Sequence, residues 1–287
     1  MKKALKWVFW TVLTLIILAV GLMAGFVYKV KNGFPVSYET EKPVINFPQN
    51  QAAVLLFSKT TGYRHGKSID ASKPVFADLA KKNQWFLYET ESGGIFNAEQ
   101  LAKFKAVIFN NSTGEVINAE QKKALENYVE NGGTFIGIHG AGDDSHHWDW
   151  YEQNLLGSKF SHHPLKPQFQ SADIILEPLS DSTLWHQLSP KWTHTDEWYI
   201  FFENPRQKGF NIIYTIDGDK VIPNGNMLWI KDKNKGMGKD HPVAWYKTTG
   251  KGRTFYTSIG HDKRAWERAE FKQLLENAVS SSMVLEK

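Results

Sequence analysis

The sequence contains no cysteine. This absence excludes disulfide bonds, thiolate metal sites and cysteine nucleophiles. It does not identify the compartment, because exported bacterial domains often lack cysteine as well. Histidine and carboxylate side chains must therefore supply any metal ligands and any nucleophilic or acid–base groups.

An excess of basic charge is also missing from most of the chain. Five of the 34 Lys and Arg residues lie within residues 1–31, which contain no acidic residue. The rest of the chain therefore has 29 basic side chains against 30 Asp and Glu residues. Nucleic-acid-binding domains usually carry a basic surplus. The composition thus argues against a nucleic-acid partner.

The N-terminal segment is unlike the rest of the sequence. Residues 7–28 are apolar almost throughout and contain no charge, and a run of about 20 such residues spans a bilayer as a helix. Lysines precede this run, so the positive-inside rule predicts a cytoplasmic tail at residues 1–6 and the remainder outside the cytoplasm. The alternative, a cleaved signal peptide, would have a shorter apolar region and a better cleavage site than Ala24-Gly25. We therefore predict an uncleaved, single-pass anchor.

Residues 29–50 contain three prolines and are predicted to form an extended linker. The remaining residues, 51–284, suit one large α/β domain in size and in apolar content. Nothing in the sequence indicates an oligomeric state.

The order of predicted elements identifies the fold class. Strand and helix patterns alternate in the first half, as in βαβ units with a parallel sheet. The second half has strand patterns with short connections, which indicates an antiparallel extension, and ends in a helix. The predicted first-half elements are 52–58, 67–82, 85–88, 105–109, 118–130 and 134–138. The later ones are 172–177, 197–202, 212–216, 243–246, 253–258 and the helix 267–278.

Polar loops follow several of these strands. Ligands of open parallel sheets bind beyond the carboxyl ends of the strands, so side chains in these loops are candidates for a functional site. The candidate substrate-binding residues are Arg64, His65, Asn110, Asn111, Trp198 and His261. The candidate catalytic residues are His139, His163, Asp143 and Glu197.

His139 lies at a tight turn between small residues, where a nucleophile elbow would carry Ser or Cys. The sequence is compatible with two roles for His139, one in catalysis and one as a structural hydrogen-bonding residue at the turn. Histidine and carboxylate without thiolate suit Zn, Mn, Fe or Ni, and His65, His139 and His163 are the candidate ligands. No His-x-x-x-His spacing supports this, and the sequence itself requires no cofactor.

Seven motifs in order resemble the ThuA-like, or trehalose-utilisation, family. They are Thr60–His65, Gly132–Ala141, Trp150–Pro164, Asp196–Tyr199, Asn204–Arg206, His241–Trp245 and Gly252–His261. The likeness covers roughly residues 52–283. It implies a flavodoxin-like three-layer sandwich similar to class I glutamine amidotransferases. The elbow cysteine of those enzymes is replaced here by His139, which excludes glutaminase activity.

The resemblance implies a role in carbohydrate use. Our first hypothesis is an enzyme that acts on a sugar or keto-sugar glycoside by hydrolysis, elimination or isomerisation. His139 or His163 would act as general acid or base, with Asp143 or Glu197 as partner. The alternative is a non-catalytic carbohydrate-binding module. The anchor distinguishes this chain from soluble members and favours a carbohydrate ligand outside the membrane.

Overall fold

The computed structural model describes residues 2–32, 36–179, 181–226, 231 and 234–283. The chain divides into two compact units, residues 1–37 and 38–287. The first unit contains helix α1 (Lys2–Asn32), whose segment Lys3–Phe26 has a mean hydropathy of 2.3. By length and composition, this helix is able to cross a membrane, and a signal sequence would meet the same criteria. The predicted span 7–28 lies within α1.

The second unit is an α/β domain with eleven strands among the described residues. Its strands are β1 (Ala53–Phe57), β2 (Phe86–Thr90), β3 (Phe104–Asn110), β4 (Thr134–Ile138), β5 (Phe160–His162), β6 (Gln170–Leu176), β7 (Lys191–Asp196), β8 (Ile200–Phe201), β9 (Asn211–Ile216), β10 (His241–Thr249) and β11 (Gly252–Thr257). Its helices are α2 (Gly66–Asn83), α3 (Ala98–Leu101), α4 (Ala119–Glu130), α5 (Asp149–Tyr151) and α6 (Ala269–Ser280).

Nine of these strands form one mixed sheet in the order β2-β1-β3-β4-β11-β10-β9-β6-β7. The first five strands in this order are parallel to one another. Every pairing from β11–β10 onward is antiparallel. Strands β5 and β8 form a separate antiparallel pair. The predicted parallel core with an antiparallel extension is confirmed. Strand β11 comes late in the chain but pairs in the middle of the sheet, between β4 and β10.

Helices cover both faces of the parallel strands, which gives the predicted three layers. On one face, Phe76 and Leu79 of α2 and Leu274 of α6 pack in one apolar cluster. On the other, Leu125 and Val129 of α4 pack in a second cluster. These residues repeat at the 3.6-residue helical period, so each helix buries one stripe. A capping box between Asn118 and Gln121 begins α4 where the sequence predicts.

The structure corrects three details of the predicted elements. Of the strand predicted at 197–202, only Ile200–Phe201 is strand. Strands β5 and β7 were not predicted. In β7, Trp192, His194 and Asp196 are buried in alternation. This is the period of a strand, but two of its three buried side chains are polar.

The second half of the predicted linker lies against the domain. Gln121 Nε2 donates to the Glu39 carbonyl over 2.7 Å, and Gln100 Nε2 donates to the Pro43 carbonyl. The ring of Phe47 packs edge-on against Phe86 and Phe104. Residues 33–35 of the predicted linker and residue 284 of the predicted domain lie outside the described residues.

Candidate metal and catalytic site

Four side chains converge beyond the carboxyl ends of the central strands. His65, His139, Glu197 and His261 each offer one ligand atom, and these atoms all lie within 4.8 Å of one another. The loops that follow β1, β4, β7 and β11 carry them. We refer to these four residues as the histidine–glutamate cluster.

Three atoms of the cluster form a small triangle. His139 Nε2 lies 3.1 Å from His261 Nδ1, which lies 3.4 Å from Glu197 Oε1. His139 Nε2 and Glu197 Oε1 are 3.8 Å apart. Nitrogen and oxygen ligands bound at 2.0–2.2 Å to one tetrahedral ion would lie about 3.3–3.6 Å apart. The spacing therefore suits a single metal ion, and the donor set suits a divalent one.

The backbone around His139 orients its ring. His139 has a φ of +43° and is fully buried, and Tyr256 Oη donates to its carbonyl over 2.9 Å. Its Nδ1 lies 2.7 Å from the Ser258 carbonyl, so Nδ1 carries the proton. Nε2 is then unprotonated and faces the cluster, which is the usual orientation of a metal-binding histidine. A Cβ at Gly140 would lie 2.9 Å from Thr113 Cγ2 and 3.0 Å from His65 Nδ1, so a larger residue there would crowd the His65 ring.

Asp196 holds the loop that carries His261. Its buried carboxylate accepts hydrogen bonds from the backbone N–H groups of Glu197, Gly260 and Asp262, at 2.8–2.9 Å. One side chain thus fixes two cluster residues relative to each other. Gln168 Nε2 donates to Glu197 Oε2 and positions that carboxylate from the other side.

Burial and mutual repulsion keep two of the histidines neutral. Burial, with the charge of His261, lowers the pKa of His65 to about 4. Burial and the neighbouring histidines hold the pKa of His139 well below its usual value. Burial opposes the charge of Glu197, but the hydrogen bond and charge of His261, the charge of His163 and the hydrogen bond from Gln168 together outweigh burial and lower the Glu197 pKa. Burial also opposes the charge of His261, but its hydrogen bond with Glu197 and the charges of Glu197, Asp196 and Asp262 together raise the His261 pKa. Neutral imidazoles beside an ionised carboxylate are the forms that bind metals.

A cavity of about 640 Å³ opens beside the cluster. His65 and His261 form part of its wall, next to Tyr63, Gln168 and Phe169. Tyr63 and Phe169 are 69% and 39% exposed, so their rings are available to a ligand. These two aromatic residues and Gln168 are not among the predicted site residues, although Tyr63 lies within the first family motif.

His163 lies beside the cluster rather than within it. Its Nδ1 is 3.4 Å from Glu197 Oε2, and its side chain is one-third exposed. Two of the three predicted metal ligands, His65 and His139, belong to the cluster. The third, His163, does not, and the other two cluster residues are Glu197 and His261. All four cluster residues are among the predicted site residues.

Several predicted substrate-binding residues are placed elsewhere. Trp198 is fully buried and donates from Nε1 to the Gln170 carbonyl, so the prediction that it contacts a substrate is wrong. Asn110 and Asn111 are also fully buried; Asn110 donates to Ser58 and Ser72, and Asn111 donates to Ser68. These asparagines stabilise the loops from the interior of the protein.

Arg64 does line the cavity, together with His65 and His261. Its guanidinium forms two hydrogen bonds with Glu91. The Arg64 guanidinium, which is predicted to bind a substrate, therefore already pairs with a carboxylate of the protein.

Asp143, a predicted catalytic residue, lies outside the cluster. Its Oδ1 accepts from Ser145, and burial raises the pKa of Asp143 to about 7. The native state therefore binds more protons than the unfolded state between about pH 4 and 7. The free energy of unfolding should consequently fall as pH rises through this window.

We expect Asp143→Asn to reduce this fall by on the order of 2 kcal/mol, because the amide keeps the acceptor oxygen and cannot ionise. Denaturant unfolding at pH 5 and pH 8 measures the difference. Asp78→Asn, at an exposed position of α2, serves as the control and should keep the wild-type pH dependence. An unchanged dependence in Asp143→Asn would contradict the assignment.

Comparisons with known proteins agree with this architecture. A family described as "ThuA: Trehalose utilisation" matches residues 53–280. A ThuA-like protein from Bacteroides uniformis ATCC 8492 superposes with a TM-score of 0.65 at 21% identity, covering 86% of this chain and 94% of that one. A ThuA-like protein from Parabacteroides merdae ATCC 43184 gives 0.61 at 17% identity, covering 82% and 91%.

A more distant likeness involves part of a larger protein. The β-galactosidase from Bacillus circulans sp. alkalophilus gives a TM-score of 0.50 at 15% identity, over 81% of this chain and 31% of that chain. No curated protein sequence matches the chain. At these identities, the structural similarities establish the fold alone.

Proposed function

Because the chain belongs to the ThuA family of trehalose-utilisation domains, we propose that it is an enzyme acting on a sugar or keto-sugar glycoside at the histidine–glutamate cluster. The observation that supports this proposal best is the convergence of the His139, Glu197 and His261 ligand atoms at 3.1–3.8 Å. The family match supports a carbohydrate, and the cluster supports chemistry on it.

We propose that the cluster holds one divalent ion, Zn, Mn, Fe or Ni. The residues fit such an ion because three imidazoles and one carboxylate converge, and His139 is oriented by its hydrogen bond to Ser258. A bound ion would act as a Lewis acid on a carbonyl or hydroxyl oxygen of the sugar.

We assign the proton transfers to His163 and Glu197. His163 is partly exposed beside Glu197 Oε2, so its ring can exchange protons both with a ligand and with solvent. A keto group acidifies the adjacent sugar C–H, and a base near this carbon can remove the proton. Gln168 holds Glu197 in place during this step. Elimination and isomerisation both require this C–H proton transfer, whereas hydrolysis requires a proton transfer to the leaving-group oxygen.

We further propose that α1 anchors the domain outside the cytoplasm. Lys2, Lys3 and Lys6 precede the apolar segment, which favours a cytoplasmic N-terminus. Protease added to intact spheroplasts should then digest the domain. Complete protection of the domain would contradict this topology.

The test of function uses the full-length protein in detergent. Elemental analysis should find about one equivalent of divalent metal, and keto-glycosides should be converted with that metal and not after chelation. Sugar binding without turnover under any metal would instead favour a non-catalytic carbohydrate-binding module.

His163→Gln should retain the metal but lower kcat by roughly 100-fold with little change in KM. His147→Gln is the matched control, because His147 pairs with Glu115 away from the cluster. Unchanged turnover in His163→Gln would remove this residue from the mechanism.

A further inference from the structure

Four cationic side chains line the cavity beside the histidine–glutamate cluster: Arg64, Lys67, Lys263 and Arg264. From this rim we propose that the substrate is a carbohydrate bearing an anionic group, a carboxylate or a phosphate, which Lys67 and Lys263 bind. This inference rests on the proposed function and names its substrate class.

The two arginines of the rim already have carboxylate partners. Arg64 Nη2 lies 2.6 Å from Glu91 Oε1, and Arg264 Nη2 lies 2.6 Å from Asp262 Oδ2. Planar guanidinium groups in paired contacts of this kind are fixed and largely neutralised. They add little net charge to the cavity and instead shape its wall.

The two lysines have no such partners. Lys67 and Lys263 are exposed, and neither makes an ion pair with any residue that the structure describes. Among the residues that the structure describes, Asp262 is the only acidic residue that lines this cavity, and Arg264 already pairs with it. The wall therefore retains about two positive charges.

The start of α2 reinforces these charges. Gly66 and Lys67 begin this 18-residue helix and both line the cavity, and no side chain caps the helix start. The positive end of the helix dipole therefore faces the same space as the lysine ammonium groups.

This concentration of charge contrasts with the rest of the domain. Beyond residue 31 the chain has 29 basic and 30 acidic side chains, so a cationic wall is a local feature. Positive charge lining a cavity attracts and retains anionic ligands. Tyr63 and Phe169 offer exposed ring faces in the same cavity, which suit the apolar face of a sugar.

The cavity also has a suitable size. A volume of about 640 Å³ falls within the range of small-molecule sites and accommodates a monosaccharide or a disaccharide. A sugar ring between the aromatic residues would place its charged group toward the lysines and its reacting carbon toward the cluster.

The experiment measures the affinity of the full-length protein for glucose, glucuronate and glucose 6-phosphate by calorimetry, with and without chelator. At least one anion should bind about 5- to 10-fold more tightly than glucose, and this preference should weaken as salt rises. The comparison of glucuronate with the phosphate ester identifies which anionic group fits. The double variant Lys67→Gln/Lys263→Gln should lose the preference and keep its metal.

The matched control is Lys81→Gln/Lys251→Gln. It removes the same charge from exposed sites at the last turn of α2 and at the β10–β11 turn, and it should keep the preference. A preference that survives in the Lys67/Lys263 variant would assign the anion to the metal and overturn the proposal. If glucose binds as tightly as both anions, the proposal also fails while the proposed function stands. If none of the three sugars binds, the proposal fails, and the turnover of keto-glycosides decides the proposed function separately.

Discussion

Glu197→Gln is expected to abolish metal binding and to lower turnover by roughly 1,000-fold. Glu197 supplies the only carboxylate among the four cluster residues. The amide carries no charge, and one of its two ends offers hydrogen-bond donors where a ligand oxygen is needed. Elemental analysis after dialysis should find less than about one tenth of the wild-type metal content.

Two comparisons make this result specific. Glu115→Gln removes a carboxylate that pairs with Lys122 away from the cluster, and it should leave metal content unchanged. Thermal unfolding of Glu197→Gln close to that of the metal-free wild-type protein would show that the loss is local. Wild-type metal content in Glu197→Gln would refute the assignment of the cluster as the metal site.

Asp196→Asn is expected to lower the free energy of unfolding by about 3 kcal/mol and metal affinity by 10- to 100-fold. The fully buried carboxylate accepts three backbone N–H bonds that join Glu197 to the Gly260–Asp262 loop. An amide has one acceptor oxygen, so its NH₂ group would face a backbone donor and leave it unsatisfied. His261 would lose its fixed position.

Denaturant unfolding and metal titration measure the two effects separately. Asp173→Asn is the control, because Asp173 is partly exposed and pairs with Lys191 on the surface of the antiparallel strands. It should change neither quantity appreciably. If Asp196→Asn kept wild-type stability, the three backbone hydrogen bonds would have to be satisfied in another way.

The sequence predicts the parallel half of the fold well, for a physical reason. Strands β1, β3 and β4 are buried on both faces over most of their length, and each contains a run of four or five residues without a polar side chain: AVLLF in β1, AVIF in β3 and FIGI in β4. Helices α2 and α4 each bury one stripe, and their periodicity is visible directly.

The sequence predicts the edge strand β7 less well. Strand β7 alternates correctly, but the buried positions include the polar residues His194 and Asp196, and Asp196 accepts a hydrogen bond from the Gly260 N–H group. Polar residues with buried partners are indistinguishable in sequence from loop residues. Their partners lie more than 60 positions away in the chain, as with Gly260.

The site illustrates the same limit. Three of the cluster residues, His65, His139 and His261, could be named because they follow predicted strands whose carboxyl ends share one edge. Glu197 follows β7, which is not predicted, and is named only because it lies in the polar segment Asp196–Tyr199. Which atoms converge could not be predicted, because the four loops meet only in three dimensions. His163 and His261 are equally plausible in sequence, and only the structure shows that His261 turns its Nδ1 toward His139.

Because β11 lies in the middle of the sheet, the histidine–glutamate cluster is expected to form late in folding. Its neighbour β4 ends more than 110 residues earlier in the chain, and His261 follows β11 directly. Closing so long a loop is entropically costly, so this pairing is expected to form slowly. A nascent chain would have to be synthesised past His261 before the four ligands could meet. An ion that binds only the completed cluster would then stabilise the whole domain against global unfolding.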